Sequence, residues 1–336
     1  MNKAPGLKII FLIFFIFIFS IMLYSIWYLQ LEKITTQELK SIQNSLLSKN
    51  IELTWEKATK SGFPYRIEKE LNNISLKFNN TKISTKKLKI IYQPWNKKHI
   101  MFLIPNDIKV LNDRKKIIIN NSNLLASLTI DKFFMGRVSI VSDKITFNLK
   151  NNNYNFRQIE MHLQTRETDD LQFAILIEKS SLPPLFIKKN AINKLYVNGN
   201  FLKYKNLDIN NYLDWFFKEG GIEIESFKLD FNQTNITGNA FISLDKNFDI
   251  QNTLSISSNK LSNILILLEK NNYISKNTSA KTDLIINAIE VASEISNKQA
   301  VFSISIQNGY LYLMGIKLIK VPNLKKYLYT IPALPK

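Results

Sequence analysis

The residues that could do chemistry are few and far apart in this sequence. Its two histidines, His99 and His162, are 63 residues apart and each stands in a β-type context, so histidines within strands are expected rather than a metal pair. Acidic residues gather at Glu167, Asp169 and Asp170. This cluster could bind a cation, but it lacks the spacing and the turn glycine of a calcium loop. The pattern favours a solvated hairpin tip.

Motifs for known chemistry are missing from the sequence. The chain has no cysteine, which excludes disulfides, thiol catalysis and cysteine-ligated metals. Its nine glycines form no Gly-x-Ser-x-Gly, no P-loop and no dinucleotide fingerprint. We therefore expect no cofactor, no metal and no enzymatic activity, with a hydrolase built on scattered carboxylates as the less favoured alternative. Trp55, Trp95 and Trp215 are expected to anchor the core.

The basic charge of the chain does not indicate a nucleic-acid partner. Lys and Arg number 45 against 27 Asp and Glu, a formal net charge of +18. Lysine supplies most of this charge and is scattered, whereas arginine, the better phosphate fork, is scarce. Abundant Lys, Asn and Ile together are typical of an A+T-rich genome. We expect no nucleic-acid binding, and weak attraction to anionic headgroups stays open.

The element that must position everything else is an apolar stretch over residues 9–29, which contains no charge. At about 1.5 Å per residue it can cross a hydrocarbon core of roughly 30 Å. The run is longer than the apolar part of a signal peptide and lacks a small-residue cleavage pattern, so a permanent anchor is favoured. Trp27 and Tyr28 suit the headgroup level, and Lys3 and Lys8 precede the span.

This charge pattern predicts a cytoplasmic amino end and a translocated remainder. We expect a single-pass protein of the bacterial inner membrane whose carboxy-terminal part lies in the periplasm. The predicted organisation is a cytoplasmic tail at 1–8, a transmembrane helix at 9–29, a helical stalk at 31–60, a β-rich half at 61–182 and a β-rich half with short helices at 183–336.

The predicted stalk stops at a compact corner. Glycine and the residue before proline both disfavour a continuing helix, so the chain must turn into an extended segment there. Tyr65 and Arg66 could bind an anion, but a packed corner is the preferred interpretation. The residues of the corner are Gly62, Phe63, Pro64, Tyr65 and Arg66.

Beyond the corner the apolar spacing changes from 3.6 to 2. Short alternating runs fill most of the chain, with helical patterns only at 208–217, 261–268 and 284–295. Asn308 and Gly309 form the strongest hairpin signal. The pattern predicts a mainly β protein with a few α-helices, built as a large curved antiparallel sheet, or two such sheets joined near Pro183 and Pro184, behind the transmembrane helix.

Several segments resemble an uncharacterised family of N-terminally anchored periplasmic proteins of Gram-negative bacteria, a domain of unknown function. That family carries a Gly-Phe-Pro-aromatic-Arg signature, which stands here at residues 62–66. A Pro-Trp segment follows at Pro94 and Trp95, and the Asn308–Gly309 hairpin and a proline-rich end at 331–335 complete the likeness. The resemblance implies a periplasmic β-rich domain and transfers no catalytic residue.

The favoured function is non-enzymatic: an envelope protein that binds a lipid or another apolar ligand along a β-sheet surface. The alternative is a scaffold or assembly factor for another envelope protein. Several strands are apolar on both sides of the alternation, as at 173–177 and 310–314. A sheet with one face in water does not need this, so either helices cover the second face or that face lines a cavity.

Overall fold

One long helix precedes a chain of antiparallel strands. The structure is a computed structural model that describes residues 5–112, 115–131, 136–149, 152–166, 168–181, 191–207, 212–231, 234–245, 247–258, 260–270, 272–297 and 299–323. Its helices are α1 (Pro5–Leu47), α2 (Tyr212–Phe217), α3 (Leu261–Lys270) and α4 (Lys276–Ile295), with a 3-10 turn at Tyr204–Asn206. Helix α1 contains the predicted apolar span, and within the described ranges it is the one helix long and apolar enough to cross a membrane.

The described strands join into one sheet of 18 strands. They are β1 (Ile51–Thr54), β2 (Lys57–Ser61), β3 (Ile67–Phe78), β4 (Thr81–Gln93), β5 (Asn96–Ile104), β6 (Ile108–Asn112), β7 (Lys115–Ser122), β8 (Leu124–Thr129), β9 (Arg137–Leu149), β10 (Asn152–Thr165), β11 (Leu171–Ser181), β12 (Ala191–Leu202), β13 (Gly221–Phe231), β14 (Thr234–Leu244), β15 (Ile250–Ser258), β16 (Val301–Gln307), β17 (Tyr310–Leu313) and β18 (Ile316–Lys320).

The sheet is antiparallel throughout, and most strands pair with their neighbours in the chain. At one side β1 and β2 both pair with β3, which pairs with β4. Strands β5 and β6 share β4 as a partner, and β7 and β8 share β9. From β9 to β18 each strand pairs antiparallel with the next. The predicted mainly β fold with a large antiparallel sheet is confirmed.

The expected division of the sheet into two halves is not visible in the pairing. Strand β11 pairs with β12 over most of their length, so the hydrogen-bond ladder continues from one half to the other. Pro183 and Pro184, where the boundary was expected, lie outside the described residues, as does the proline-rich segment at 331–335.

The predicted helical stalk over 31–60 is wrong in its second half. Helix α1 ends at Leu47, and Asn50 follows in the left-handed conformation at φ 59°. Residues 51–61 then form β1 and β2, which both add to β3. Leu53 and Ala58 fit helical spacing equally well, but their backbone groups hydrogen-bond to β3 in the sheet instead of within a helix.

One face of the sheet, here called the apolar face, is continuous across the strands. Directly paired residues lie on the same face, so the registers carry this face from Ile67 on β3 to Ile319 on β18. It is covered at one side by α1, which packs Tyr28, Leu31 and Leu39 against β3 and β4. At the other side α3 and α4 cover it around Phe302. Strands β8–β12 lie between these covered regions.

Candidate functional site

The corner at residues 62–66 is fastened to the end of the apolar span. The hydroxyl of Tyr24 donates a hydrogen bond to the carbonyl of Pro64, and that of Tyr28 donates to the carbonyl of Arg66 at 3.0 Å. The Phe63 ring meets the Tyr28 ring edge-on, with centroids 5.0 Å apart. The corner therefore connects β2 to β3 and at the same time packs on α1.

Gly62 has a specific reason to be glycine. Its φ is +100°, and a Cβ at this position would lie 2.3 Å from the Arg66 carbonyl oxygen. The Arg66 amide donates back to the Gly62 carbonyl at 2.9 Å, and the Phe63–Pro64 peptide is cis. The Arg66 guanidinium pairs with the Glu68 carboxylate. These contacts place the five signature residues in a tight, internally bonded corner.

A partly buried ionic network lies one turn further along α1, with Glu32 and Lys69 buried and Lys60 exposed. The Glu32 carboxylate is 2.7 Å from the Lys60 ammonium and 3.8 Å from that of Lys69. Lys69 also donates to the Glu32 backbone carbonyl at 3.2 Å and to the Thr36 hydroxyl. Burial lowers the pKa of Lys69 to about 8, although the Glu32 charge opposes this. For Glu32, burial acts to raise the pKa, but hydrogen bonds from Lys60 and Thr36 hold it below its usual value.

The predicted Pro-Trp segment lies at the same end of the sheet as the corner. Ile67, which follows the corner, pairs with Tyr92 on β4, and Pro94 and Trp95 form the turn from β4 into β5. Pro94 is fully buried, and burial raises the pKa of Tyr92 to about 12. The two sequence motifs are therefore brought together beside α1.

The expectation that Trp95 anchors the core is wrong, since it is exposed. It occupies the tip of a hairpin, where no neighbouring strand can cover it. Trp55 packs against the Leu39 cluster, and Trp215 is buried with its indole N–H donating to the Leu202 carbonyl at 2.7 Å. The Asn308–Gly309 hairpin is confirmed: both residues have positive φ, and Gln307 pairs with Tyr310.

A groove lies on the apolar face where α1, α3 and α4 leave the sheet bare. Its volume is about 330 Å³, within the range of pockets that bind small molecules. Phe173 at its wall is buried against Phe201, with ring centroids 4.8 Å apart. The apolar side chains that line this central groove include Ile140, Met161, Leu163, Phe173, Ile175 and Phe201.

A second cavity of about 340 Å³ separates α1 from the same face. It lies between the helix and strands β3, β4 and β5, with Ile130 just after β8, and it is close to the corner and the Pro-Trp turn. Its lining includes Leu31, Ile34, Ile67, Tyr92, Ile100 and Ile130. By register Ile100 pairs with Leu128, and Leu128 with Val138 of the central groove. Apolar side chains therefore continue strand by strand from this helix-side cavity to the central groove.

A family model matches residues 35–322, and its description is an uncharacterized protein conserved in bacteria (DUF2125). This chain belongs to that family. The match begins inside α1, beyond the apolar span, and extends past β18. It therefore contains the sheet, the central groove and the helix-side cavity except for Leu31 and Ile34. The expected membership of an uncharacterised bacterial family is thus confirmed. No curated protein and no solved structure matches the chain.

The polar candidates of this DUF2125 member are not assembled into a reactive centre. His99 on β5 and His162 on β10 are separated by β8 and β9, so three strand spacings of about 4.8 Å lie between their strands. His162 bonds the Ser139 hydroxyl at 2.9 Å. Asp169 pairs with Lys205 at 2.6 Å, and Asp170 accepts the Lys203 amide at 2.9 Å. Glu167 lies outside the described residues.

In the described parts of the chain, no group of three or more His, Asp and Glu side chains is placed to hold a metal. A recess of about 510 Å³ with many polar side chains lies beside β4 at the break between β5 and β6. Lys82, Lys86 and Lys109 line it together with Glu56 and Asp107, so its charges largely cancel. The apolar face is the more distinctive surface, because its alternation continues across so many strands.

The central groove could not be located from the sequence. Each lining residue belongs to an ordinary alternating strand, and the sequence signal is only that apolar residues recur at every second position. These particular side chains remain uncovered because of the order of the strands in the sheet and the positions at which the covering helices end.

Proposed function

We propose that this protein is a membrane-anchored envelope protein that holds the acyl chain of a membrane lipid on the apolar face of its sheet. The observation that carries this proposal is the central groove, whose lining is almost entirely apolar and which lies on a face shared by the helix-side cavity. The function is non-enzymatic, and it involves neither a cofactor nor nucleic acid.

The helix supports the membrane part of the proposal. The helix Ile10–Leu47 is long enough to span a membrane, and an 18-residue window within it has a mean hydropathy of 2.6. Lys3 and Lys8 precede the apolar run, which favours a cytoplasmic amino end. The sheet would then lie in the periplasm of a Gram-negative bacterium, attached to the inner membrane. In this arrangement the lipid source is the bilayer that α1 itself crosses.

The energetics favour exchange over tight capture. Moving a CH₂ group from water to an apolar site gains about 0.8 kcal/mol. The acyl chain of a lipid in a bilayer is already out of water, so its transfer into the groove changes the free energy little. An apolar groove of this kind can therefore accept a chain without a reaction, and it would keep that chain out of water once it has left the bilayer.

The test compares two opposite faces at one level of the sheet. Met161 faces the central groove and is 39% exposed, whereas Tyr196 on β12 is 37% exposed on the opposite face. The two positions lie at nearly the same height along their strands. Met161 pairs with Ile175, which pairs with Val197, and Tyr196 precedes Val197 in β12. A benzophenone amino acid is placed at either position of the full chain, cells are irradiated, and adducts are identified by mass spectrometry.

We expect lipid adducts from position 161 and few or none from position 196. Equal lipid labelling at the two positions would show only general exposure to lipid and would contradict a groove-specific occupant. Labelling by neither, with intact expression of both variants, would also contradict the proposal.

One specific observation favours the scaffold hypothesis. Helix α4 exposes Leu284, Val291 and Ile295 along one stripe, away from the core that it forms with Ile286. A helix face of this kind suits a groove on another protein. A benzophenone at Leu284 that captures one protein of defined mass, combined with no lipid adduct at Met161, would make this second function the better one.

A further inference from the structure

Exposed aromatic side chains gather where the sheet meets the apolar span. Tyr65 is 75% exposed, Trp95 67% and Phe63 55%, and Trp27 on α1 is also exposed. Phe63 and Tyr65 belong to the corner, Trp95 to the turn between β4 and β5. Three separate elements therefore present large rings outward at one end of the sheet, and the lipid groove proposed above uses none of them.

The depth of the corner is set by its hydrogen bond to the helix. Tyr24, which donates to the Pro64 carbonyl, precedes Leu29 by five residues, about 8 Å along the helix axis. Side chains on a helix tilt toward its amino end, so the Tyr24 hydroxyl lies no closer to water than its Cα does. Leu29 ends the apolar run, and the polar Gln30 follows it. The corner is thus held beside the last turns of the apolar span.

We infer that Trp27, Phe63, Tyr65 and Trp95 form an interfacial belt that seats the end of the sheet in the headgroup region of the bilayer that α1 crosses. Tyrosine and tryptophan are enriched at this level because their rings are apolar and their polar edge stays wet. Arg66 and Lys98, both exposed and next to these rings, can reach anionic headgroups. The occupant of this patch is the lipid surface, since the patch is continuous with the span.

The belt gives the signature corner a function beyond packing. It fixes the orientation of the sheet relative to the membrane, and it places the helix-side cavity, whose lining includes Tyr92 and Gln93, directly above the lipid surface. The inference rests on the membrane anchor of the proposed function but not on lipid binding in the central groove.

The absence of cysteine from the chain allows a direct test by single-cysteine spin labelling. Four full-length variants are reconstituted into vesicles of phosphatidylethanolamine and phosphatidylglycerol: Tyr65→Cys, Trp95→Cys, Lys77→Cys and Ile18→Cys. Lys77 is an exposed control near the other end of β3, about 33 Å from Ile67 at 3.3 Å per residue. Ile18 reports whether the span is in the bilayer. Collision rates of each nitroxide with oxygen and with a water-soluble nickel chelate are then measured.

We expect the ratio of oxygen to nickel accessibility at positions 65 and 95 to exceed that at position 77 several-fold, and to lie below that at position 18. Ratios at 65 and 95 equal to that at 77 would overturn the belt while leaving the anchor intact. Labels at 65 and 95 shielded from both reagents would show that protein covers the patch and would also overturn it. A water-exposed label at position 18 would overturn the anchor and the belt together.

Discussion

The hydroxyl of Tyr28 donates a 3.0 Å hydrogen bond to the backbone carbonyl of Arg66, across 38 residues of sequence. This contact joins the last turns of the apolar span to the first residue before β3. Tyr28 is buried, and its ring also packs against Phe63. The direction in which the sheet extends from α1 is therefore set by contacts between side chains of α1 and the corner.

Removal of this hydroxyl should loosen the corner without unfolding the sheet. Tyr28→Phe deletes the donor of a partly buried hydrogen bond and leaves the Arg66 carbonyl without this partner, at a cost of about 1 kcal/mol. We expect faster amide hydrogen exchange in residues 61–66 of the full-length protein. The control is Tyr65→Phe, whose ring is exposed. Equal exchange in the two variants would contradict the assigned role of Tyr28.

Gly62 and Gly315 form a matched pair for the second prediction. Both have positive φ, at +100° and +81°, but a Cβ on Gly62 would collide with the Arg66 carbonyl, whereas nothing lies within 4 Å of one on Gly315. Gly62→Ala therefore combines backbone strain with a backbone clash, and Gly315→Ala has the strain alone.

We expect Gly62→Ala to lower the free energy of unfolding by about 1–2 kcal/mol more than Gly315→Ala. The measurement is denaturant or thermal unfolding of both variants in the same detergent. A similar loss in both would mean that the corner can shift to accommodate the methyl group.

The class of fold follows from the sequence because alternation alone requires a sheet with an apolar face. The end of α1 does not follow, since Leu53 and Ala58 satisfy helical and strand spacing equally, and only pairing with β3 decides between them. The exposure of Trp95 is likewise decided by its place at a hairpin tip. Ring size and hydrophobicity predicted burial, but position in the fold overrides both.

Strict alternation also predicts the wrong face of the sheet for some residues. Ile224 and Phe227 are three residues apart, so period 2 would put them on opposite faces. The register shifts between them, and both lie on the apolar face, paired with Gly199 and Val197. A bulge of this kind is set by neighbouring strands, so the apolar face of β13 could not be read from the pattern of that strand alone.

The buried Lys69 gives the third prediction, which concerns pH. Its side chain is buried and its pKa is lowered from 10.5 to about 8, mainly by burial. Between these two values the unfolded chain binds more protons than the folded protein, so the free energy of unfolding rises with pH, by about 3 kcal/mol in total. Below pH 8 Lys69 is charged in the folded protein, so the free energy of unfolding is lowered by the full cost of burying that charge.

Lys69→Met should therefore be more stable than the parent near pH 7 and should flatten the rise from pH 8 to 10. Glu32 keeps its 2.7 Å partner Lys60 in this variant, so no carboxylate is left unpaired. The control is Lys87→Met, which removes a lysine that is half-exposed and paired with Glu70. The measurement is the thermal unfolding midpoint of each variant across this pH range. If the midpoint of Lys69→Met rises with pH as steeply as that of the parent, the lowered pKa of Lys69 is contradicted.

The last prediction concerns the central groove and uses a charge in place of a probe. Met161→Glu introduces a carboxylate among apolar side chains, where any acyl chain beside it would force the loss of hydration from that charge. Tyr196→Glu adds the same charge at the same level on the opposite face. Both sites are more than a third exposed in the parent, so neither charge has to be buried in the folded protein and thermal midpoints should change little.

We expect Met161→Glu to reduce lipid that co-purifies with the full-length protein several-fold, as measured by native mass spectrometry after detergent exchange, and Tyr196→Glu to leave it unchanged. If both variants retain the parent's amount of lipid, the bound lipid belongs to the span of α1 and not to the groove, and the proposed function fails while the interfacial belt, which depends only on the anchor, is unaffected.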